Sequence, residues 1–181
     1  MKNPFIVGDN VYLRNLAEQD LNESYHSWLN DQEVNTGNSH AIFPTSFESM
    51  KAYYNSIIGS TDKIILAIIA KDKDVHIGNI SLQNINWIYR SAEFAILLGD
   101  KSYWGKGVGY EAVRLIINHG FKQLNLNRIY CGTFDNNIGM QKIAEKLGMQ
   151  QEGSRRDAVY KNGTYYSILE YGILRSEFNI F

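Results

Sequence analysis

Three apolar runs in the middle of the chain restrict the fold more than any other feature of the sequence. The runs are "KIILAIIA" (63–70), "VHIGNISLQNI" (75–85) and "SAEFAILL" (91–98), and segments of hairpin length join them. Short apolar runs bounded by turn residues predict β-strands, and connections this short join antiparallel neighbours. The middle of the chain therefore predicts a set of antiparallel strands.

Helical and strand patterns on either side complete the expected order of elements. Before the runs stand a strand, "VYLRNL" (11–16), and two helical patterns, "EQDLNESYHSWL" (18–29) and "TSFESMKAYYNSII" (45–58). The second helix has Thr45 or Ser46 as its N-cap and places on one face Phe47, Met50, Tyr54, Ile57 and Ile58. After the runs come a helix (111–124), a strand (128–134), a helix ended by Gly148, and a hairpin turning at Asn162-Gly163. This order predicts one domain, a mixed α/β or α+β sheet with helices on its faces, and not a repeating βαβ fold.

Composition excludes several classes of function. The 181 residues carry 18 Lys and Arg against 19 Asp and Glu, so no overall basic charge favours nucleic acid. Cys131 is the only cysteine and the four histidines share no ligand spacing, so we expect no disulfide and no metal. No apolar run reaches the roughly 20 residues of a membrane span, and no secretory segment opens the chain, which predicts a cytoplasmic protein.

The junction "SYWGKGVGYEAV" (102–113) places three glycines where a helix begins. Free N–H groups in a first helical turn bind phosphate, and glycines let a ligand approach the backbone. The stretch does not match the Walker motif, because Gly107 rather than Ser or Thr follows Lys106. "GVGYEA" matches the dinucleotide fingerprint, but "GDKSYW" separates it from the strand and no repeated βαβ units follow. The loop therefore either turns the chain or holds another phosphate, such as the pyrophosphate of coenzyme A.

The same stretch resembles the acyl-CoA loop of the GNAT superfamily of N-acetyltransferases. It is most similar to the branch of RimJ/RimL-type ribosomal-protein acetyltransferases and spermidine acetyltransferases, which share Trp104 where other members have Gln or Arg. Further segments resemble this branch in the same order: "VYLRNLAEQDL", "YHSWLNDQEV", "IYRSAEFAILL", "NNIGMQKIAEKLGM" and "YKNGTYYSILEYGIL". The resemblance implies a single GNAT-type domain over residues 1–181, mostly antiparallel with helices on both faces. It also implies acetyl-CoA as co-substrate, no metal, and a homodimer as a common assembly.

The resemblance carries binding roles to particular residues. Residues 94–98 would pair with the pantetheine arm, with N–H groups near Leu97 or Leu98 facing the thioester oxygen. Asn137 matches an asparagine on the CoA side, although a helix N-cap is its alternative role. The expected CoA-binding residues are Ile96, Leu97, Leu98, Trp104, Gly105, Lys106, Gly107, Val108, Gly109 and Asn137.

Glu93 is the candidate general base, because it stands in an otherwise apolar strand just before the loop and resembles a glutamate of related enzymes. Its alternative is a surface residue or an ion-pair partner of Arg90. For the acceptor amine, Tyr25, Trp28 and Trp87 are candidate pocket residues, with packing in the core as the alternative. We expect Cys131 to be a small core residue rather than a nucleophile.

Some family positions are changed, and these leave the acid and the acceptor open. The branch places a tyrosine or a serine, the candidate acids, where Ala144 and Met140 stand, and an aspartate where Ser167 stands. Tyr130 and Tyr166 are alternatives for the acid. The acceptor is a protein N-terminus, a polyamine or an amino sugar. The excess of carboxylates in residues 1–60 either covers solvated helix faces or attracts a cationic acceptor. A non-catalytic acyl-CoA sensor and a dinucleotide-binding oxidoreductase are the other functions considered.

Overall fold

The computed structural model describes residues 1–178, whose strands form one eight-stranded sheet. The strands are β1 (Ile6–Val7), β2 (Val11–Asn15), β3 (Ile64–Ala70), β4 (Val75–Asn86), β5 (Ser91–Leu98), β6 (Arg128–Phe134), β7 (Gln150–Lys161) and β8 (Thr164–Leu174). The helices are α1 (Glu23–Asn30), α2 (Phe47–Ile57), α3 (Val108–Lys122) and α4 (Ile138–Lys146), with 3₁₀ turns at Glu18–Asp20 and Lys101–Tyr103.

The strands lie in the order β1-β2-β3-β4-β5-β6-β8-β7. Only β5 and β6 run parallel, and every other neighbouring pair is antiparallel. The predicted mixed, mostly antiparallel sheet is confirmed. A single parallel pair does not form the doubly wound sheet that a dinucleotide-binding protein requires. No helix within residues 1–178 combines the length and apolarity needed to cross a membrane.

Each face of the sheet carries its own apolar core, as the alternation of side chains along a strand requires. On one face, Leu66 and Ile68 of β3 pack in the cluster that contains the buried side of α3 and Ala144 of α4. On the other face, Ala67 and Ile69 pack with α1 and α2. The helices therefore cover both faces, as predicted.

Local sequence patterns predicted several helix ends and turns correctly. Ser46 caps α2 by accepting a hydrogen bond from the Ser49 N–H at 3.1 Å. Gly148 follows α4 with φ +78°, and Asn162 and Gly163 both have positive φ in the terminal hairpin. The predicted packed face of α2 is partly wrong. Met50 is buried, but Phe47 and Ile58, at the two ends of the helix, are exposed.

The buried ion pair of Arg14 and Asp20 joins β2 to the turn before α1. The two guanidinium nitrogens donate to the two carboxylate oxygens at 2.6 and 2.7 Å, and the Ala17 N–H donates at 2.8 Å. Burial alone would raise the pKa of Asp20, but these hydrogen bonds outweigh it and hold the pKa below its ordinary value. The pair of Glu18 and Lys51 nearby is exposed.

We predict that Asp20→Asn lowers the free energy of unfolding by about 3 kcal/mol, because it leaves the buried Arg14 charge without a partner. Glu18→Gln, in the exposed pair, lowers it by less than about 1 kcal/mol. Because the pKa of Asp20 is lowered on folding, its contribution is present above its unfolded pKa of about 3.9 and is lost as the pH falls through the folded pKa. Urea unfolding at pH 7 and pH 3 measures both effects, and equal losses for the two variants would contradict the prediction.

Candidate functional site

The parallel pair of β5 and β6 ends after three residues, where Glu93 lies opposite Tyr130. Beyond that point β5 continues to Leu98 and pairs only with β4, from Phe94 opposite Leu82 to Leu98 opposite Gly78. The strands therefore diverge in the middle of the sheet. Within residues 1–178, the side of β5 that faces β6 has no backbone partner from residue 94 to residue 98, so an extended ligand can pair onto this edge.

The register shows which backbone groups face the gap between β5 and β6. The Gly99 N–H donates to the Ile77 carbonyl of β4 at 3.0 Å. Because the direction of the backbone N–H alternates from one residue to the next along a strand, Leu97, two residues earlier, also directs its N–H towards β4. Ile96 and Leu98 direct theirs into the gap. Consistent with this, Trp104 donates its indole N–H to the Leu98 carbonyl at 2.8 Å. Of the two residues predicted to face a thioester, Leu98 has the suitable backbone orientation and Leu97 does not; Ile96, predicted only to bind CoA, shares the orientation of Leu98.

The glycine loop ends at the same gap. Gly105 and Gly107 have φ of +71° and +80°, and Gly107 is the N-cap of α3 without a side-chain hydrogen bond to the first turn. Gly109 has no positive φ, and a Cβ there would lie 3.8 Å from the Ile96 side chain and 3.9 Å from that of Leu98. The uncapped start of α3 therefore adjoins the free edge of β5. The turn requires glycine at positions 105 and 107, and the predicted loop residues 104–109 lie together at the start of α3.

Two lysines add positive charge around the start of α3. The Lys106 ammonium lies 5.4 Å from the centre of the Tyr103 ring, and Lys146 at the end of α4 lies 4.2 Å from that of Tyr110. Positive charge adds to the partial charge of the helix N-terminus and favours an anion. Among the described residues, no group of three or more His, Cys, Asp and Glu side chains is arranged to hold a metal.

Asn137 takes the helix-capping role that was its alternative. Its Oδ1 accepts a hydrogen bond from the Met140 N–H at 3.1 Å, and its Nδ2 donates to the Gly37 carbonyl at 3.2 Å. Asn137 thus begins α4 and ties it to the loop after α1. A contact between Asn137 and CoA stays a prediction.

A cavity of about 530 Å³ lies on the opposite face of the sheet, between β3–β5 and the helices α1 and α2. Its lining residues share neutral polar or apolar side chains; they are Tyr25, Leu29, Asn38, Ser39, His40, Thr45, Ser49, Met50, Tyr53, Ile65, Asn79, Ile80, Ser81, Gln83, Ala95, Ile96 and Leu97. Ile96 and Leu97 belong to the free part of β5, so the cavity reaches the gap between the strands.

Of the three aromatic residues predicted for the acceptor pocket, only Tyr25 lines this cavity. Trp28 is buried in the core of α1 and α2, and its ring lies so close to Gly99 that any Cβ there would overlap it. Trp87 stands exposed in the turn between β4 and β5, where its indole N–H donates to the Thr61 carbonyl at 2.9 Å. The pocket role is therefore corrected for Trp28 and Trp87, because packing and a turn contact use these side chains.

Glu93 lies at the edge of the cavity. It shares the face of β5 with Ala95 and Leu97, and it stands opposite Gln83, which lines the cavity. Its carboxylate accepts a hydrogen bond from Asn84 Nδ2 at 2.9 Å, while Arg90, its alternative partner, binds Asn125 instead. The position suits a base at the point where β5 and β6 separate.

Cys131 and Tyr130, whose pKa values are both raised in part by the Glu93 charge, are protonated at neutral pH. Burial, with a smaller contribution from the Glu93 charge, raises the pKa of Cys131 to about 12, so its thiol is a poor nucleophile. Burial and Glu93 also raise the pKa of Tyr130, which lies opposite Glu93 in β6. Tyr166, the other candidate acid, stacks on Phe134 with ring centres 5.8 Å apart.

Lys161 was missed by the sequence analysis. The residue is only 4% exposed, and its ammonium donates to the carbonyl oxygens of Asn35, Asn38 and His40 at 2.6, 2.9 and 2.7 Å. Asn38 and His40 line the cavity, so Lys161 holds one wall of it. Lysine beside an Asn-Gly turn normally faces solvent, and no local pattern marks this contact across more than 120 residues.

The carboxylates of the N-terminal third are largely used within the chain. Four of them form ion pairs: Asp20 with Arg14, Glu18 with Lys51, and Asp31 and Glu33 with Lys101. The described lining of the cavity instead consists of hydroxyl, amide, imidazole and apolar groups. The acidic composition therefore does not describe the cavity.

Known proteins match this chain over most of its length. The acetyltransferase (GNAT) domain matches residues 10–150. The putative ribosomal N-acetyltransferase YdaF of Bacillus subtilis is 33% identical over 100 residues, 55% of this chain, and the chain spans about half of YdaF's length, 54%. The spermidine N(1)-acetyltransferase of Vibrio cholerae is 29% identical over 133 residues, which are 74% of this chain and 76% of that enzyme.

A solved structure has the same fold. The crystal structure of spermidine N-acetyltransferase from Vibrio cholerae in complex with CoA and spermine matches with a TM-score of 0.84 and 26% identity, covering 93% of this chain and 97% of that one.

We predict that Lys161→Met loosens the loop of residues 35–40, because three hydrogen bonds from a charged donor are lost at once. Hydrogen exchange measured by mass spectrometry should show faster exchange in this loop, including the Asn38 amide, which donates to the Asn35 carbonyl. We expect the free energy of unfolding to fall by about 2 kcal/mol. Lys142→Met on the exposed side of α4 is the control, and similar exchange in the two variants would show that Lys161 does not hold the loop.

Proposed function

The chain belongs to the GNAT family of acetyltransferases, as its motifs indicated, and on this premise we propose that it transfers the acetyl group of acetyl-CoA to a primary amine. The observation that carries the proposal is the meeting of two features at one place. The uncapped, glycine-rich start of α3 adjoins the free edge of β5 through Gly109, Ile96 and Leu98. A ligand with an anionic pyrophosphate and an extended amide arm fits both features together.

The residues divide the binding of acetyl-CoA between them. The N–H groups of the first turn of α3 hold the pyrophosphate, with Lys106 adding positive charge. The pantetheine arm pairs with β5 as an added strand through Ile96 and Leu98. The Leu98 N–H, directed into the gap, is placed to donate to the thioester oxygen, where negative charge develops during the reaction. The relative from Vibrio cholerae, solved with CoA, supports this donor.

The transfer proceeds by direct attack in a ternary complex. The neutral amine nitrogen forms a bond with the thioester carbon, the carbon–sulfur bond breaks and CoA leaves as the thiolate, and the second proton of the acylated nitrogen passes to solvent or to that thiolate. Glu93 accepts the proton that the ammonium must lose, through water, because it lies at the edge of the acceptor cavity. A route through an acetyl-cysteine is disfavoured by the raised pKa of Cys131.

Protonation of the leaving thiolate has no assigned residue from the family. Ala144 and Met140 occupy the two positions that carry the candidate acids in related enzymes. Tyr130 is the better placed of the two remaining tyrosines, because it stands opposite Glu93 across the end of the parallel pair. A thiolate is a tolerable leaving group, so transfer does not depend on an acid.

We predict that Gly107→Ala raises the KM for acetyl-CoA about tenfold, because a side chain at φ +80° strains the turn that presents the N–H groups. Gly148→Ala is the matched control: it has the same strain, at φ +78°, but lies at the end of α4. Both changes should lower the free energy of unfolding by about 1 kcal/mol. An equal KM for acetyl-CoA in the two variants would mean that the glycine loop only turns the chain.

We predict that Glu93→Gln lowers kcat about 100-fold while the KM for acetyl-CoA stays unchanged, because the amide cannot accept the proton. The measurement is release of CoA thiol at saturating amine. Glu145→Gln on the exposed side of α4 is the control and should keep the wild-type rate. Unchanged turnover in Glu93→Gln would remove Glu93 from the mechanism, and binding of acetyl-CoA without transfer to any amine by the wild type would favour an acyl-CoA sensor.

A further inference from the structure

The carboxylate of Glu93 is held by one hydrogen bond, from the side chain of Asn84. Glu93 Oε2 accepts this bond from Asn84 Nδ2 at 2.9 Å, and within residues 1–178 the second oxygen, Oε1, accepts none. The orientation of the amide follows from the chemistry of its partner, because an ionised carboxylate offers only acceptors and the amide must meet it with its nitrogen. One oxygen of Glu93 is therefore fixed, and the other is left to receive a proton.

A β-bulge brings Asn84 beside Glu93. Between Gln83 and Asn86 the register shifts, and β4 has one residue more than β5 there. In a regular strand, residue 84 would lie on the face opposite to Gln83 and would enter the core that contains α3. Ile85 occupies that core instead, and Asn84 is left exposed with its amide on Glu93. Redirection of a side chain is what an extra residue in a strand achieves.

The backbone of the bulge and the amide of Asn84 are separate requirements. Asn84 has φ of +53°, in the left-handed region that Asn tolerates better than most residues. Glycine would fit the same backbone with less strain, but it has no side chain to donate to Glu93. The bulge alone therefore does not require asparagine, whereas the contact with the carboxylate does.

The arginines on either side of Glu93 in the sheet have other partners. Arg90, just before β5, binds Asn125, and Arg128 of β6 forms an ion pair with Glu152. Within residues 1–178, Glu93 forms no ion pair. A guanidinium would favour the charged form of a carboxylate and weaken it as a base, whereas a neutral amide orients the carboxylate with a smaller effect of this kind.

The other groups that face Glu93 from the adjoining strands are neutral at pH 7. Gln83 lies opposite Glu93 on β4, and Tyr130 lies opposite it on β6. Burial, with a smaller contribution from the Glu93 charge, raises the pKa of Tyr130 and also that of Cys131, so both stay protonated. Neither of them donates a hydrogen bond to the carboxylate, which leaves Asn84 as the side chain that orients it.

We infer that Asn84 is a positioning residue for the base: its amide holds Oε2 of Glu93, so that Oε1 faces the proton that the acceptor amine must lose. This inference rests on the proposed function, since Asn84 acts only through Glu93. A base contributes fully only when it is held in the geometry of proton transfer, so the contact should matter for turnover and not for the binding of acetyl-CoA.

The first test removes the amide and keeps the bulge. Asn84→Gly should lower kcat about tenfold at saturating amine, with the KM for acetyl-CoA unchanged, because Glu93 loses its orienting donor. Asn162→Gly is the matched control, since Asn162 has the same left-handed conformation, with φ of +52°, in the terminal hairpin. Equal kcat values in the two variants would overturn the inference.

The second test reads the charge of Glu93 through the pH dependence of kcat. Asn84→Asp places a second carboxylate beside Glu93, and like charges favour the protonated form. The acid limb of the profile should therefore move to higher pH by about one unit. Asn162→Asp should leave the limb in place. An unmoved limb in Asn84→Asp would overturn the inference, because a purely structural role for Asn84 would not shift it.

The double variant separates the inference from the proposed function. In a Glu93→Gln protein, Asn84→Gly should cause no further loss of kcat, because the carboxylate through which Asn84 acts is already absent. A further tenfold loss would overturn the inference. Loss of turnover in Glu93→Gln together with wild-type rates in the Asn84 variants would overturn the inference alone. Failure of the wild type to transfer to any amine would overturn the proposed function, and the inference with it.

Discussion

The separation of β5 from β6 after three paired residues is the constraint on which the whole site depends. A parallel pair in the middle of a sheet would normally continue and satisfy both backbones. Here the continuing part of β5 keeps N–H groups of Ile96 and Leu98 directed into a gap. The gap joins the start of α3 on one face to the cavity on the other, so under the proposed function donor and acceptor meet at β5. Glu93 stands where the separation begins.

A buried charge holds one wall of the cavity in place. Lys161 holds the loop wall by three backbone carbonyls. The charge of Lys161 is satisfied behind the surface, so the lining of the cavity consists of neutral side chains, with the Glu93 carboxylate at its edge. The acidic charge of the N-terminal third therefore differs from the charge of the cavity lining, and composition alone cannot predict this difference.

Local signals predicted most of the fold, and long-range contacts account for what was missed. The strand runs, the Ser46 cap, Gly148 and the Asn162-Gly163 turn each depend on a few adjacent residues, and the structure confirms them. The short β1 and the polar first half of β7 carry no alternation and were not predicted. Trp28 and Trp87 are aromatic, as many pocket residues are, but their side chains are used in packing and in a turn, while the contacts of Lys161 depend on distant partners. The loop motif predicts the donor side, whereas the candidate acceptor cavity is seen only in the structure.

The central claim is that the gap and the glycine loop form one site for acetyl-CoA. Equilibrium titration of the wild-type protein with acetyl-CoA, with NADH, and with pantetheine tests it directly. The account predicts saturable binding of acetyl-CoA, weaker binding of pantetheine because it lacks the pyrophosphate, and no binding of NADH at the same site. Tight binding of NADH without binding of acetyl-CoA would contradict the account.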